Sequence, residues 1–293
     1  MDENMPVETR YFSRPVRNLM SESLLTHERV SVKGDINVAD IFSAKTPSGL
    51  QAQYGRCHAK IHAIVPYFPS HEFILESLQS LLLQTRPVDR ITVIVDGSEV
   101  GTEMRRRFPQ VEFRSSKVQI GPFKAISGVI TDSDCDLIMI GDSDDVSAPH
   151  RAKTLERIIL SSGCGIVGSN VAYFEAARVV ALGVFPRSPS CALLQKFGHV
   201  MLYPSSIFRR DAFVEAGGFS DFESFGMDTE FVNKMCLRYG GANTRNILYA
   251  KREHSSALTA LPETGFGSNR RSAINEFTRE MWVSEVSQAL HRF

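Results

Sequence analysis

Hydrophobic and polar positions fall into three regimes along the chain. Residues 1 to 58 mix charges with Ser, Gly and Pro, and no period lasts beyond a few residues. A short helix near 16–25 is the one element that stands out there. From residue 60 the pattern sharpens. Ile61-His62-Ala63-Ile64-Val65 is β-rich and stops at Pro66. Residues 72–84 carry apolar side chains at 74, 75, 78, 81 and 82, the spacing of one helix face, with Ser70 as N-cap and Pro87 beyond the end. A second strand, 91–95, ends in the turn Asp96-Gly97-Ser98. Val100, Met104 and Phe108 recur every four residues and predict a helix. Residues 111–113 predict a third strand, 122–131 a helix opened by Pro122, and 136–140 a fourth strand closed by Gly141-Asp142-Ser143-Asp144-Asp145. Ser147 and Pro149 open a helix running to about 160.

The second half reads differently. Residues 166–174 and 179–184 predict a pair of strands, 204–208 a further strand, and 210–216 a short helix closed by Gly217-Gly218. A helix over 228–239 has Phe231 and Met235 on one side and Gly240-Gly241 as its stop. Residues 247–250 predict a last strand. A final helix, 272–290, is striped by Ile274, Phe277, Met281 and Val286, and Trp282 on it reads as packing.

Strands alternating with helices from 61 to 160 predict βαβ units, so an α/β class with a mostly parallel central sheet and flanking helices. Ligands of such sheets bind beyond the carboxyl ends of the strands. Asp96 and the 142–145 cluster both follow strands, and this architecture places them on one rim.

Composition narrows the class. The 293 residues are 43% hydrophobic and 23% charged, a globular rather than a disordered balance. At about 150 residues per domain, the length allows two domains or one large α/β unit with appendages. The 33 Lys and Arg balance 33 Asp and Glu, which argues against a nucleic-acid binder held by phosphate neutralisation. No apolar run nears the ~18 residues of a membrane span. The start, Met1-Asp2-Glu3-Asn4, is acidic and lacks the apolar core of a secretory signal. Five cysteines without a Cys-x-x-Cys pair read as incidental thiols in a reducing cytoplasm.

Four places carry candidate chemistry. Three carboxylates among Asp142-Ser143-Asp144-Asp145 repel one another unless compensated, and oxygen donors suit Mg²⁺ or Mn²⁺. The plain alternative is a solvated turn in which Asp145 or Ser147 caps the next helix. Asp96 can accept a hydrogen bond from a nucleobase N–H or a ribose hydroxyl, or simply belong to an Asp-Gly turn. Asp228 opens a helix, as an N-cap or as a general base at the rim of a site. His254 follows a strand and the cations Lys251 and Arg252, where an imidazole can ligate a metal and the cations can meet a diphosphate. Arg105-Arg106-Arg107 reads as a solvated helix face.

In this order the pieces resemble the family-2 glycosyltransferases. Ile64-Val65-Pro66-Tyr67-Phe68 and the helix ending Gln84-Thr85 resemble the family's opening strand and helix. Val93-Ile94-Val95-Asp96-Gly97-Ser98 is similar to Val-Val-Asp-Asp-Gly-Ser, with Val95 in place of the first Asp. Asp142-Ser143-Asp144-Asp145, with Pro149 beyond, resembles the Asp-x-Asp motif. Gly217-Gly218-Phe219 and Gly226-Met227-Asp228 resemble the Gly-Gly-Phe…Glu-Asp segment, with Met227 in place of Glu. Arg252-Glu253-His254-Ser255-Ser256-Ala257-Leu258-Thr259 is similar to the element that closes the catalytic domain.

The resemblance implies a GT-A fold. Residues 1–58 are then an N-terminal extension, a candidate for partner binding or dimerisation. Residues 59–260 are the catalytic domain, with a nucleotide-sugar half (59–165) and an acceptor half (166–260), and 261–293 are a C-terminal helical segment. It implies inverting transfer from a nucleoside-diphosphate sugar, a UDP-sugar foremost, to a hydroxyl of a glycan, lipid-linked or small-molecule acceptor. Mn²⁺ or Mg²⁺ is implied on Asp144, Asp142 and His254. The nucleotide sugar is implied on Pro66, Tyr67, Phe68, Asp96, Lys124, Asp142 and Ser143, and the base is Asp228. The expected setting is the cytoplasm, in solution or at a membrane surface. Two other readings remain: a catalytically silent nucleotide-sugar or glycan-binding module, and a sugar nucleotidyltransferase. The loop Pro66-Tyr67-Phe68-Pro69-Ser70 has neither the glycine nor the cation that grips a triphosphate, which counts against the last.

Overall fold

In the computed structural model, residues 26–32, 34–43, 59–67 and 73–291 are described. The helix expected near 16–25, the cap Ser70 and the binding residue Phe68 lie outside them. β2 (Ile61–Tyr67) pairs in parallel with β3 (Arg90–Asp96) and β5 (Leu137–Ile140), and β3 in parallel with β4 (Glu112–Ser116). These strands are apolar on both faces because both are covered. Ile64, Ile94, Ile138 and Ile140 face α4 (Pro122–Asp132) through Ile126, Val129 and Ile130. Their alternates, Ile61, Ala63, Val65, Val93, Leu137 and Met139, face α2 (Ile74–Leu82) and α5 (Arg151–Ser162).

The first strand runs through Pro66 rather than stopping there. The Ile64 carbonyl accepts from Gly141, so even-numbered residues of β2 direct their backbone groups toward β5. The paired ladder on that side ends at Ile64, so no partner in it waits for the N–H that Pro66 lacks.

The second half adds β7 (Ile166–Glu175), β8 (Arg178–Val184), β9 (Ile207–Arg209) and β10 (Gly241–Arg252). With β1 (Glu28–Ser31), among the described residues the sheet has ten strands in the order β1-β8-β7-β9-β5-β2-β3-β4, with β10 on β7 and the two-residue β6 (Val146–Ser147) on β10. The longest ladders are parallel: β10 on β7, then β2 on β3. Three expectations shift, and one helix appears where none was expected. Ser147 lies in β6 rather than opening a helix, and α5 starts at Arg151. A 3₁₀ turn at Tyr203–Ser205 precedes the shorter β9. The short helix α6 (Pro189–Gln195) has too few turns to show a period. β10 starts six residues early, because register shifts after Thr244 and Ile247 break its alternation.

Part of the stretch expected to be irregular joins the sheet. β1 (Glu28–Ser31) pairs antiparallel with β8, followed by α1 (Val38–Ser43). Arg29 grips Glu253 with two hydrogen bonds of 2.8 and 2.6 Å and lies 4.3 Å from the Tyr173 ring centre. At the other end, α9 (Asn269–Leu290) docks on α8 (Asp228–Tyr239) through Arg238 and Glu285. Trp282 packs, its indole N–H donating to the Leu193 carbonyl at 2.9 Å. No helix among the described residues is long and apolar enough to cross a membrane.

His62 sits wholly buried in β2, with Nδ1 at 2.9 Å from Ser133 Oγ and Nε2 at 2.8 Å from Thr92 Oγ1. Burial and the nearby Arg90 pull its pKa down to about 4, with Glu112 opposing. Below pH 6.5 the unfolded chain therefore takes a proton that the fold refuses, and stability falls as pH drops from 6.5 toward 4. Urea unfolding at pH 7 and 4.5 is expected to show roughly 2 kcal/mol of this loss from His62. His62→Gln, which keeps polar contacts but does not titrate, is expected to flatten the slope by that amount; an unchanged slope would assign the pH dependence elsewhere.

Candidate active site

Three parallel strands deliver the rim. β2 ends at Tyr67, β3 at Asp96, and β5 runs into Gly141 and Asp142. Pro66 and Tyr67 are half-buried there, and burial raises the Tyr67 hydroxyl pKa. Asp96 spends both oxygens on backbone amides, Ile120 N–H to Oδ1 at 2.8 Å and Gly121 N–H to Oδ2 at 2.7 Å. It thereby pins the loop entering α4, whose first turn carries the exposed Lys124.

The acidic loop is held by α2 and by the residues after it. Ser77 Oγ donates to the Asp142 carbonyl at 2.9 Å, and Ser147 N–H donates to Ser80 Oγ at 3.0 Å. Gln84 receives the Ala152 N–H at 2.9 Å and donates to the Ala148 carbonyl at 2.8 Å, while Thr85 N–H reaches Pro149 at 2.7 Å. The Gln-Thr pair thus clamps the entry to α5.

Pairing of β6 with Tyr249 and Ala250 brings the end of β10 alongside the acidic loop. Asp145 is buried, and its Oδ1 accepts the Arg252 N–H at 2.8 Å, so it is not the helix cap that a solvated turn would make of it. Arg252 donates Nε to the Asp144 carbonyl at 2.8 Å, pairs with Glu76, and lies between the Phe73 and Phe174 rings. His254 Nε2 stands 2.8 Å from Asp144 Oδ2, and its Nδ1 2.8 Å from Ser256 Oγ. Lys251 Nζ lies 4.0 Å from both Asp142 Oδ2 and Asp145 Oδ2.

One oxygen from each of Asp142, Asp144 and Asp145 falls within 4.8 Å of the others. Burial lifts the Asp142 carboxyl to about 8, with Lys251 opposing and the other carboxylates adding. Asp145 is raised to about 6 for the same reasons. Asp145 Oδ2 is buried without a hydrogen-bond partner. A group so short of positive charge, made of hard oxygen donors, fits Mg²⁺ or Mn²⁺. The third carboxylate is Asp145, while His254 reaches the group through Asp144.

Asp228 is the first residue of α8, and Met227 before it, fully buried, holds the N-cap place without a side-chain cap. Gly226, at φ +73°, makes the turn, and a Cβ there would come within 2.6 Å of Arg271 Nη1. The charge of Asp228 is felt by Asp142, His199, Tyr203 and Arg271, so it shares one electrostatic neighbourhood with the acidic group. Sequence reasoning missed His199 and Tyr203, which carry no motif, and Arg151 beneath the loop.

The Glycosyl transferase family 2 model matches residues 62–213, more than half of the chain. The chain belongs to glycosyl transferase family 2. The matched span holds Asp96 and the acidic loop of this family-2 chain, while Asp228 and His254 lie beyond it. Its fold is the GT-A fold that the resemblance implied. S. aureus TarS superposes with a TM-score of 0.56 at 16% identity, over 77% of this chain and 43% of that one. TarS 1-349 in complex with UDP gives 0.55 at 16% identity, over 76% and 70%. The complex with UDP-GlcNAc gives 0.55 at 16%, over 77% and 72%. At such identity the likeness is one of fold, and the chain spans less than half the length of the full TarS chain. No curated protein sequence matches the chain significantly.

Proposed function

We propose that this chain transfers a sugar from a UDP-sugar to an acceptor hydroxyl, with inversion at the anomeric carbon and with Mn²⁺ or Mg²⁺. The observation that carries the reading is the charge-deficient group of Asp142, Asp144 and Asp145 on the strand-end rim, with Asp228 in its electrostatic reach. TarS, solved with UDP and with UDP-GlcNAc, supports the choice of donor. Asp142 and Asp144, with Asp145 beside them, would hold the metal, and His254 orients Asp144. When bound, the metal supplies Lewis-acid neutralisation of the departing diphosphate.

The chain's own groups do the rest. Pro66, Tyr67 and Ser143 wall the nucleotide cleft, with Lys124 near the diphosphate. Each Asp96 oxygen keeps a lone pair for a nucleobase N–H while its other bond fixes the loop. Asp228 takes the proton of the acceptor hydroxyl as that oxygen attacks. A single base serves a single displacement, hence inversion. The acceptor is a glycan, a lipid-linked sugar or a small molecule.

Calorimetric titration tests this. UDP is expected to bind with Mn²⁺ present and to bind weakly without it. Even residues behind a metal ligand are worth roughly 10- to 100-fold in metal affinity, so Asp144→Ala should lose at least as much. Failure of UDP, GDP and dTDP to bind, with or without Mn²⁺, would overturn the reading.

A further inference from the structure

The cations around the acidic loop are not equivalent. Arg252 is committed to Glu76, to the Asp144 carbonyl and to two aromatic faces. Arg151 is committed to backbone carbonyls below the loop. Lys251 is different. Its ammonium sits 4.0 Å from Asp142 Oδ2 and 4.0 Å from Asp145 Oδ2, too far to hydrogen-bond either. It is held between them by charge, with its side chain 21% exposed. The backbone fixes that place, since Lys251 pairs with Tyr173 of β7 and its neighbour Arg252 N–H is bonded to Asp145. Asp145 Oδ2, one of the two oxygens it faces, is among the buried polar atoms left without a hydrogen bond.

We propose that Lys251 is a built-in counter-cation of the acidic group, competing with a divalent ion for Asp142 and Asp145 and setting how weakly the free protein binds that ion. The proposal rests on the metal-site part of the function given above. Its physics is Coulombic. Like charges a few ångströms apart at a partly buried site repel by several times the thermal energy. An ion entering among carboxylates that lie within 4.8 Å of one another meets the Lys251 charge at once. A bound diphosphate changes the balance, because it offers Lys251 an anion of its own. Metal binding is then weak in the free protein and strengthened by nucleotide, a reciprocal coupling between the two.

The test measures free Mn²⁺ by electron paramagnetic resonance against wild type, Lys251→Met, Lys251→Gln and Lys251→Arg, each checked for folding by circular dichroism. Lys251→Met and Lys251→Gln are expected to bind Mn²⁺ at least about tenfold more tightly than wild type without nucleotide. The gain should shrink when UDP is present, and Lys251→Arg should stay near wild type. Thermal melts should show the same order, with Mn²⁺ raising the Tm of the neutral variants most. Equal or weaker Mn²⁺ binding by both neutral variants would overturn the proposal, as would Lys251→Arg behaving like Lys251→Met. A wild type that binds Mn²⁺ but never UDP would instead sink the nucleotide-sugar reading, and the nucleotide-free comparison would still decide the role of Lys251.

Discussion

Asp228→Asn is expected to bind UDP and Mn²⁺ as wild type does and to transfer sugar roughly 10²- to 10⁴-fold more slowly. The substitution keeps shape and removes the proton acceptor. Asn fits the first turn of α8 as Asp does, and Asp228 is not the N-cap, so no capping bond is lost. Donor binding should survive for an electrostatic reason as well. The negative charge of Asp228 is one of the influences that raise the Asp142 carboxyl, so its removal leaves Asp142 ionised at lower pH and the acidic group intact. The measurement is single-turnover consumption of donor, alongside calorimetry. Loss in kcat with unchanged UDP affinity supports the assignment. Wild-type kcat in Asp228→Asn would place the base elsewhere. A wild type that binds donor and turns over nothing would favour the silent binding module.

The parallel part of the sheet was legible because its physics is local. A parallel sheet covered on both faces writes itself as short apolar runs, and strands such as 61–67 and 90–96 appear as such runs. The carboxylates follow those runs directly, so Asp96, Asp142 and Asp144 could be placed on one rim from order alone. Asp228 likewise sits where the helix period begins. What stayed hidden depends on pairing across the chain. Asp145 is drawn inward by the Arg252 amide, 107 residues away, and nothing near Asp145 announces it. The bulges of β10 mask most of that strand while delivering Lys251 and Arg252 to the acidic loop. β1 is exposed at three of its four residues, so it shows no apolar alternation to read. Its attachment comes from pairing with β8 and from Arg29, features of tertiary contact.

Arg151→Met is expected to cost the fold about 3–5 kcal/mol, a large share of the stability of an ordinary domain. Arg151 is fully buried at the start of α5, where most chains would place a solvated charge. Its Nη2 donates to the carbonyls of Ile140, Pro204 and Ser206 at 2.6, 2.7 and 3.1 Å, and Nη1 to Ser147 Oγ at 2.8 Å. Those acceptors belong to the end of β5, the 3₁₀ turn and the entry to β9, so one side chain joins the two halves of the sheet behind the site. Burial pulls its pKa down to about 10, with Tyr249, Asp142 and Asp145 opposing, and it stays charged at neutral pH. Met has the length but no donor, and each orphaned carbonyl costs roughly 1–3 kcal/mol. The damage should reach the acidic group. The Arg151 guanidinium lies 4.8 Å from the Tyr249 ring centre, and the Tyr249 hydroxyl accepts the Asp142 N–H at 2.9 Å. Arg151→Lys keeps the charge, but its compact ammonium cannot spread over the same carbonyls, so an intermediate loss is expected. Urea midpoints give the stability, and Mn²⁺ affinity of the folded fraction gives the coupling to Asp142. A wild-type midpoint in Arg151→Met would mean that the carbonyls find other donors. A lowered midpoint with unchanged Mn²⁺ affinity would confine Arg151 to the sheet and release Tyr249 from the chain of contacts that aims Asp142.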